Sequence, residues 1–519
     1  MFSKKSILSH TFNIGVCTML SRLFGIVRES LTVRYLGAGI LNDAFVTAFK
    51  IPNGLRKIFA EGAMSAALIP SLTSCIAQNK RSASNGLMSL SFLVFEGFVV
   101  LLCILAIAYA KPLIHFIAPG FSKEGIDITV QCLTIVMPFI FFVSSSALLA
   151  GALQSVGQFF IPALAPVLLN IVFIITLLIC LYFKLPVTAL CWGILIAGAL
   201  QFIMHVIWYI RLQFGFGNIT REDFHTLRTV LVRFLLCLPS VSLMELSLFV
   251  DTSFASYLKP GTITLINLAN RFVGIPLGVF AIAFATVLLP HFSRVVQHAP
   301  KRLSFYLLEG AKLVFFVSLP IMLLMWYFAE NIFETLFLSG TRFTYAHVQE
   351  ASHILQTFLL GLFFFSFNKV ILNVYYAIHV AWVPALISTI AALVNVLLDW
   401  LFLDYLQSVG LALATTISAV VRTILLLAIL HYFYKQRVYA TRMCSFALGY
   451  SVQAIVLFIP FILLYRKLYM LATVYLHNSL SWFMLHSLGF WLWVGPLSIG
   501  YCLLLWYFQK KYFRHMYFL

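Results

Sequence analysis

Residues Phe159 to Phe183 read FFIPALAPVLLNIVFIITLLICLYF. The run carries no charged residue, and its length is what an α-helix needs to cross a hydrocarbon core roughly 30 Å thick. A membrane β-strand would alternate apolar and polar side chains, whereas here apolarity is continuous. Lipid offers no water to backbone groups, so only helices and closed barrels can span it. The stretch is a transmembrane helix, and the rest of the chain resembles it. Of 519 residues, 62% are hydrophobic and 10% charged; soluble domains average roughly 45–50% and about 25%. That composition excludes a water-soluble globular protein, a disordered chain and a secreted disulfide scaffold. The fold class is an all-α polytopic membrane protein.

Working outward from this helix, apolar runs broken by Gly, Pro or charge give about fourteen spans. They fall near 11–33, 40–74, 88–110, 129–150, 159–183, 189–210, 229–257, 266–290, 311–329, 354–378, 384–403, 410–434, 445–465 and 488–508. The second window is too long for one straight span, and a bend is expected near Pro52–Gly54. No cleavable signal peptide is expected, because the first span carries Arg22 and Arg28 and lacks a small-residue cleavage site. An even span count places both termini on one side. With that side cytoplasmic, the cytoplasmic segments hold 17 basic residues against 7 on the opposite side, the bias of the positive-inside rule. Topology thus accounts for much of the net charge of +18, and no nucleic-acid partner is implied. The nine cysteines form no C-x-x-C pair and fall mostly inside spans, where Cys behaves as a small apolar residue.

Two pairs of segments recur at nearly one offset. Ala63–Pro70 (AMSAALIP) resembles Ala283–Pro290 (AFATVLLP), and Phe160–Leu164 (FIPAL) resembles Trp382–Leu386 (WVPAL). Six spans separate the paired units, so they share an orientation, as parallel repeats do. The expected organisation is an N-lobe over 1–215, a C-lobe over 220–440, and an added helix pair over 443–519. Two such lobes rocking about a central cavity would give alternating access.

Charges inside spans are costly, at least ~2.5–3.5 kcal/mol each on insertion scales, and usually mark a pathway. They concentrate in three helices. The first carries Arg22, Arg28, Glu29 and Arg34; the second Asp43, Lys50, Arg56, Lys57 and Glu61; the eighth Arg271, just ahead of Pro276. At 100° per residue Arg22, Gly25 and Glu29 share a face, with Arg28 to one side. One reading has these groups snorkelling to the interface from helix ends, which suits Arg34, Lys50 and Lys57. The other has Arg22, Arg28, Arg56 and Arg271 lining a cavity for an anion, particularly a pyrophosphate, since arginine pairs with phosphate in a planar, bidentate manner. Gly25 would let a headgroup or a neighbouring helix come close.

A second constellation is all oxygen: Asp251, Asn395 and Asp399 one turn apart, and Thr415. Such donors suit a hard cation; alternatively Asp399 and Asp404 mark a helix end and Asp251 pairs with a nearby base. No H-E-x-x-H and no G-x-x-x-x-G-K-[ST] is present, so neither a zinc peptidase nor a built-in ATP motor is indicated.

Several motifs together resemble one family. Ser21-Arg22-x-x-Gly25-x-x-Arg28-Glu29, Leu36-Gly-Ala-Gly39, Asn42-Asp43-Ala-Phe45 and Phe49-Lys-Ile-Pro-Asn53-x-Leu-Arg56-x-Ile-Phe-Ala-Glu61-Gly are similar to the MurJ (MviN) lipid II flippases. So are Gly151-Ala-Leu-Gln154, Asp251-Thr-x-x-Ala255 and Asn270-Arg271-x-x-x-Ile-Pro-Leu-Gly-Val-Phe280, with the likeness covering roughly 8–440. The resemblance implies the multidrug/oligosaccharidyl-lipid/polysaccharide exporter fold, two six-helix lobes plus two helices that form a groove for a lipid tail. It implies a transporter, not an enzyme. Undecaprenyl-pyrophosphate-linked disaccharide-pentapeptide would be carried from the cytoplasmic to the periplasmic face of the bacterial inner membrane. The residues matching the family's cavity are Arg22, Arg28, Arg56 and Arg271, with acidic partners at Glu29, Asp43 and Glu61. A sodium site in the family matches Asp251, Asn395, Asp399 and Thr415, and no cofactor is expected beyond that sodium ion. The expected partners are lipid II and membrane lipid, with the protein acting as a monomer or within a wall-synthesis complex. Three positions depart from the family pattern: Glu29 lengthens the usual Asp, Asn270 replaces an acid, and His379-Val380 replaces Asp-Thr.

The competing reading is a cation-coupled exporter of another polyprenyl-linked saccharide or of drugs. An exporter of cationic drugs would line its cavity with acids and aromatics instead of arginines. A membrane glycosyltransferase or polymerase would need a large catalytic loop, and the segments near 111–128 and 330–350 are short.

Overall fold

The apolar windows are long enough to be helices, and in the computed structural model they are. It describes residues 4–59, 63–77, 81–380, 382–475 and 478–513; of their side chains, those at 4–14, 58–59, 63–67, 76–77, 81–83, 236–248, 281–283, 285–287, 289–290, 300, 478–479, 481 and 511–513 are left out. Among the described residues every regular element is helical. Nine helices are long and apolar enough to cross a membrane, or ten if one pair bent by 41° counts as a single span.

The chain divides into two compact units, Met1–Thr264 and Leu265–Leu519. The first holds α1 (Lys4–Leu36), α2 (Ile40–Phe59), α3 (Ala63–Ala77), α4 (Arg81–Ala108), α5 (Ala110–Ile117), α6 (Lys123–Val136), α7 (Phe139–Ser155), α8 (Phe160–Phe183), α9 (Val187–Arg211) and α10 (Arg221–Ala255). Pro52 lies inside α2, which continues to Phe59, and the long second window is divided between α2 and α3. Proline is tolerated within membrane helices because neighbours resatisfy the freed backbone. The helical ladder is interrupted at Met137-Pro138, between α6 and α7, which together run as one membrane-length segment from Lys123 to Ser155.

α1 packs along α8, α9 lies against α7 and α8, and α2 against α6. Small residues allow the closest of these approaches. A Cβ on Gly193 of α9 would fall 2.1 Å from the Thr176 side chain of α8. The first helix stops at Gly37, which takes a φ of 79° and returns its N–H to Val33, a left-handed cap that glycine adopts without strain. Against this turn lies the connection out of α10. Gly261 has a φ of +98°, and a Cβ there would sit 2.7 Å from the Ala38 carbonyl oxygen.

Asp43 fastens the two turns together. Its carboxylate accepts from the Gly261 N–H at 2.6 Å, the Thr264 N–H at 2.8 Å and the Thr264 hydroxyl at 2.7 Å. These donors lie just before and within the first turn of the next helix, α11 (Thr262–Pro276), whose leading N–H groups have no partner within the helix. A buried carboxylate here satisfies them and complements the positive end of the helix dipole.

The second unit takes up most of α11 and continues through a π-helical turn (Leu277–Ala281), α12 (Ile282–His298), α13 (Leu303–Tyr327), α14 (Ala329–Phe337), α15 (Tyr345–Leu360), α16 (Leu362–Ala377), α17 (Trp382–Tyr432), α18 (Ala440–Tyr475), α19 (Asn478–His486) and α20 (Phe490–Phe513). At 51 residues, α17 would be about 77 Å long if straight, more than twice the hydrocarbon thickness. It turns back at Gln407, where φ is 48° and ψ −128°. A Cβ on Gly410 would lie 2.8 Å from Phe402 atoms, which locates the reversal and yields the two expected windows, 384–403 and 410–434.

The last helices are held by aromatic rings. Tyr450 donates to the Phe316 carbonyl at 3.0 Å, Trp491 to the Thr335 hydroxyl at 3.0 Å, and Tyr465 stacks on Trp493 at 5.5 Å. These contacts fix α18 and α20 on α13 and α14, with ring hydroxyls and indole N–H groups paired as buried ones must be.

Two substitutions test this packing by thermal unfolding of the purified protein in detergent. Gly193→Ala should destabilise by about 1–3 kcal/mol, since a β-branched Thr176 cannot rotate away; an unchanged melting temperature would refute the close approach. Asp43→Asn should also cost about 1–3 kcal/mol, because an amide N–H would face backbone N–H donors. A neutral effect would show that the Asp43 cap carries no weight.

Candidate anion-binding surface on the first helices

On α1, Arg28 is 7% exposed. Its Nη1 donates to Asn170 Oδ1 of α8 at 2.9 Å and its Nη2 to Glu29 Oε1 at 2.8 Å. The guanidinium carbon lies 5.0 Å from the Phe173 ring centroid, within reach of a cation–π contact. Asn170 in turn donates to the Ser21 carbonyl at 2.9 Å and to the Ser21 hydroxyl at 3.2 Å. Adjacent residues on a helix do not ordinarily face each other. The extra methylene of Glu29 lets its carboxylate bend back onto Arg28, so the departure from the family's usual Asp is accommodated by the pair itself. Two hydrogen bonds engage two of the five guanidinium N–H groups, leaving capacity for a further acceptor.

Arg22 and Glu29 are half-buried on the same face as Gly25. A Cβ built on Gly25 meets nothing within 4 Å among the described residues, which leaves a notch on this face of α1. Long side chains on a helix lean toward its N-terminus. A side chain at position 25 would therefore lie over the root of Arg22, and glycine keeps that space clear. On α2, Arg56 is half-buried and donates from Nε to Asn53 Oδ1 at 3.0 Å. Lys50 donates to the Thr252 hydroxyl of α10, within the same unit. Glu61 lies outside the described residues.

Asp43 stands apart from these groups in role, being committed to the Gly261 and Thr264 donors. In the second unit, Arg271 is exposed on α11 together with Asn270 and Gly274, and a Cβ on Gly274 also meets nothing within 4 Å. The pattern of α1 therefore recurs: an arginine followed three residues later by an open glycine.

Of the cation set, Asn395 and Asp399 are both buried, and the Asn395 amide donates to Asp399 Oδ2 at 2.7 Å. The Thr415 hydroxyl donates to the Leu411 carbonyl at 3.0 Å, keeping its lone pairs. Asp251 is half-buried on α10 of the first unit. Among the described residues no three His, Cys, Asp or Glu side chains gather as a metal cluster.

The residues that inspection of charge missed are Asn170, Phe173 and Ser21 around Arg28, and Thr252 beside Lys50. Asn170 had a signal, as a lone amide in the middle of an apolar span. Phe173 had none, being one of 51 phenylalanines.

Comparisons with known proteins bear on what this surface does. Residues 32–485 match the family described as lipid II flippase MurJ. A lipid II flippase MurJ of Burkholderia cenocepacia is 30% identical over 417 residues, covering 79% of this chain and 81% of the relative. A probable lipid II flippase MurJ of Rhizobium tropici is 31% identical over 425 residues, covering 80% and 79%. Among solved structures, a lipid II flippase MurJ in an inward closed conformation matches with a TM-score of 0.75 at 25% identity, covering 96% of this chain and 99% of that one. An inward-facing MATE multidrug transporter matches with a TM-score of 0.67 at 16% identity, covering 84% and 98%, a likeness of fold alone. The chain belongs to the lipid II flippase MurJ family.

Proposed function

We propose that the protein is a lipid II flippase that moves the undecaprenyl-pyrophosphate-linked peptidoglycan precursor from the cytoplasmic to the periplasmic face by alternating access. The observation that carries this reading is Arg28. It is a buried cation at membrane depth whose guanidinium is oriented by Asn170, Glu29 and Phe173 while retaining N–H groups for another acceptor. Pyrophosphate oxygens are the acceptors such a group suits. Arg22 beside the Gly25 notch, and Arg56, supply the same chemistry from α1 and α2, and Arg271 supplies it from α11.

Glu29 holds Arg28 in one orientation, so a phosphate can be received without reorganising the side chain. The open glycine leaves room for the bulk attached to that phosphate. The membrane potential can drive charge movement at about 2.3 kcal/mol per elementary charge per 100 mV. Sodium at Asp251, Asn395, Asp399 and Thr415 is the ion proposed to bias one state; it can do so only through different affinity for the two states. The buried Asp399–Asn395 pair supports that assignment with oxygen ligands of the kind a hard cation takes. On this proposal the protein sits in the bacterial inner membrane with both termini cytoplasmic, acting as a monomer or within a wall-synthesis complex. The pair α18 and α20, packed on α13 and α14, is proposed to flank the polyprenyl chain.

The direct test measures lipid-linked precursor reachable from the periplasm in cells depleted of their own flippase. Wild-type protein should restore it, while Arg28→Ala and Arg271→Ala should each abolish it at normal expression and melting temperature. Full activity in both variants would overturn the arginine reading, and failure of the wild type to restore any precursor would overturn the flippase assignment. In the same assay Gly25→Ala should remain active and Gly25→Leu should lose transport, with both folding as stably as wild type. A Gly25→Leu protein that transports normally would show that the notch receives nothing.

A further inference from the structure

The middle of one span in the first unit holds a carboxyl that none of the constellations above uses. Glu96 lies 12 residues from either end of Ser84–Ala108, about 18 Å along α4 in each direction. It is 3% exposed, and a glutamate side chain is too short to carry its charge to water over that distance.

The groups that meet this carboxyl are hydroxyls. The Ser144 hydroxyl of α7 donates to Glu96 Oε1 at 2.7 Å. Ser145, the next residue, stands beside the same carboxyl. Yet the Ser145 hydroxyl and Glu96 Oε2 are each buried without a hydrogen-bond partner. Two neighbouring side chains thus hold one orphaned oxygen each, a costly arrangement where no water can reach.

The helices packed against α4 are α3, α5, α6, α7 and α10. Among the described residues, the groups that act on Glu96 are the two serines and the Cys103 thiol, which itself donates to the Met137 carbonyl. α7 has no titratable residue. α3 brings Cys75 and α6 brings Cys132; Lys111 and His115 of α5 and Lys123, Glu124 and Asp127 of α6 are exposed. On α10 the ring of Phe234 meets Phe95, which sets the level of Glu96. The charged residues and the histidine from Arg221 to Arg233 are exposed there, except Asp223, which is held by Thr220. Asp251 stands 17 residues beyond Phe234, about 25 Å along the helix. The side chains of Cys237 and Glu245 are among those left out.

An ionised carboxyl only accepts hydrogen bonds, whereas a protonated one carries a donor. A proton on Glu96 Oε2 would supply the Ser145 oxygen with a donor and Oε2 with an acceptor, so one hydrogen removes both orphans. It also removes the charge. Hydroxyls without a cation do not offset the desolvation of a buried carboxylate, and such a group takes up a proton instead. Intramembrane carboxyls are the groups from which proton sites are built.

We propose that Glu96 is a proton-binding site of the first unit, held as the neutral acid by Ser144 donating to Oε1 and by Ser145 accepting from Oε2–H. The proposal does not depend on the flippase reading. Infrared spectra of the purified full-length protein at neutral pH test it directly. Wild type minus Glu96→Gln should show the carbonyl band of a protonated carboxylic acid. Carboxylate bands in its place would show Glu96 ionised and overturn the site.

Stability supplies a second readout. The native state holds one proton more than the unfolded chain, whose glutamates ionise near pH 4.3. The folding equilibrium should therefore weaken as pH rises, by up to about tenfold per pH unit, until the folded group ionises. From about pH 5 to about pH 8 the melting temperature of wild type should fall relative to that of Glu96→Gln; parallel profiles would overturn the site. If Glu96→Gln fails to fold, Ser145→Ala decides. Removing the acceptor should move the acid band of wild type to the higher frequency of a free O–H acid, and an unmoved band would refute the bond to Ser145.

Discussion

Hydrocarbon cannot hydrate a polar group, and the fold of this protein is organised around that fact. The spans close most of their backbone amides within helices, and each side-chain charge at depth must find its complement in the protein or in a ligand. Asp43 meets the leading N–H groups of α11, so a helix end and a carboxylate, each costly alone in lipid, satisfy each other. Arg28 meets Asn170, Glu29 and Phe173. Glu309 meets Lys312.

The fold was legible because the length of an apolar run is a local property. Among the described residues the windows read from hydropathy fall on helices, including the pair hidden in α17, whose 51 residues cannot cross the membrane once and stop. Breaks were less legible. The second window is too long for one straight span, and a bend is expected near Pro52–Gly54; α2 runs through Pro52 to Phe59, and the rest of the window lies in α3. The break at Met137-Pro138, equally proline-bearing, falls inside a window read as continuous. Proline marks where a helix can break; neighbouring contacts decide whether it does.

The candidate site was legible as residue types and illegible as partnerships. Arg28 stood out as a charge in an apolar helix, but Asn170 lies 142 residues away in sequence. Asp43 stood out in the same way and was grouped with the candidate arginines, since nothing local distinguishes a ligand-facing carboxylate from one that caps a helix 218 residues downstream. Composition can tell that a charge needs a partner. Only the packing of distant helices tells which charges already have one.

That distinction bears on how Arg28 can be both fixed and available. A guanidinium left wholly unpaired at this depth would not be held in one position, and one fully paired could receive nothing. Two bonds and a ring face define its orientation, and the remaining N–H groups stay in one plane ready for an acceptor. Preorganisation of this kind lowers the cost of binding because the side chain's freedom was lost during folding. The open glycine notch of α1 contributes in the opposite sense. Glycine within a helix is less stable than alanine by roughly 0.5–1 kcal/mol, and at Gly25 no neighbouring atom among the described residues accounts for its presence. A bulky headgroup attached to the phosphate is a sufficient reason for leaving that space clear.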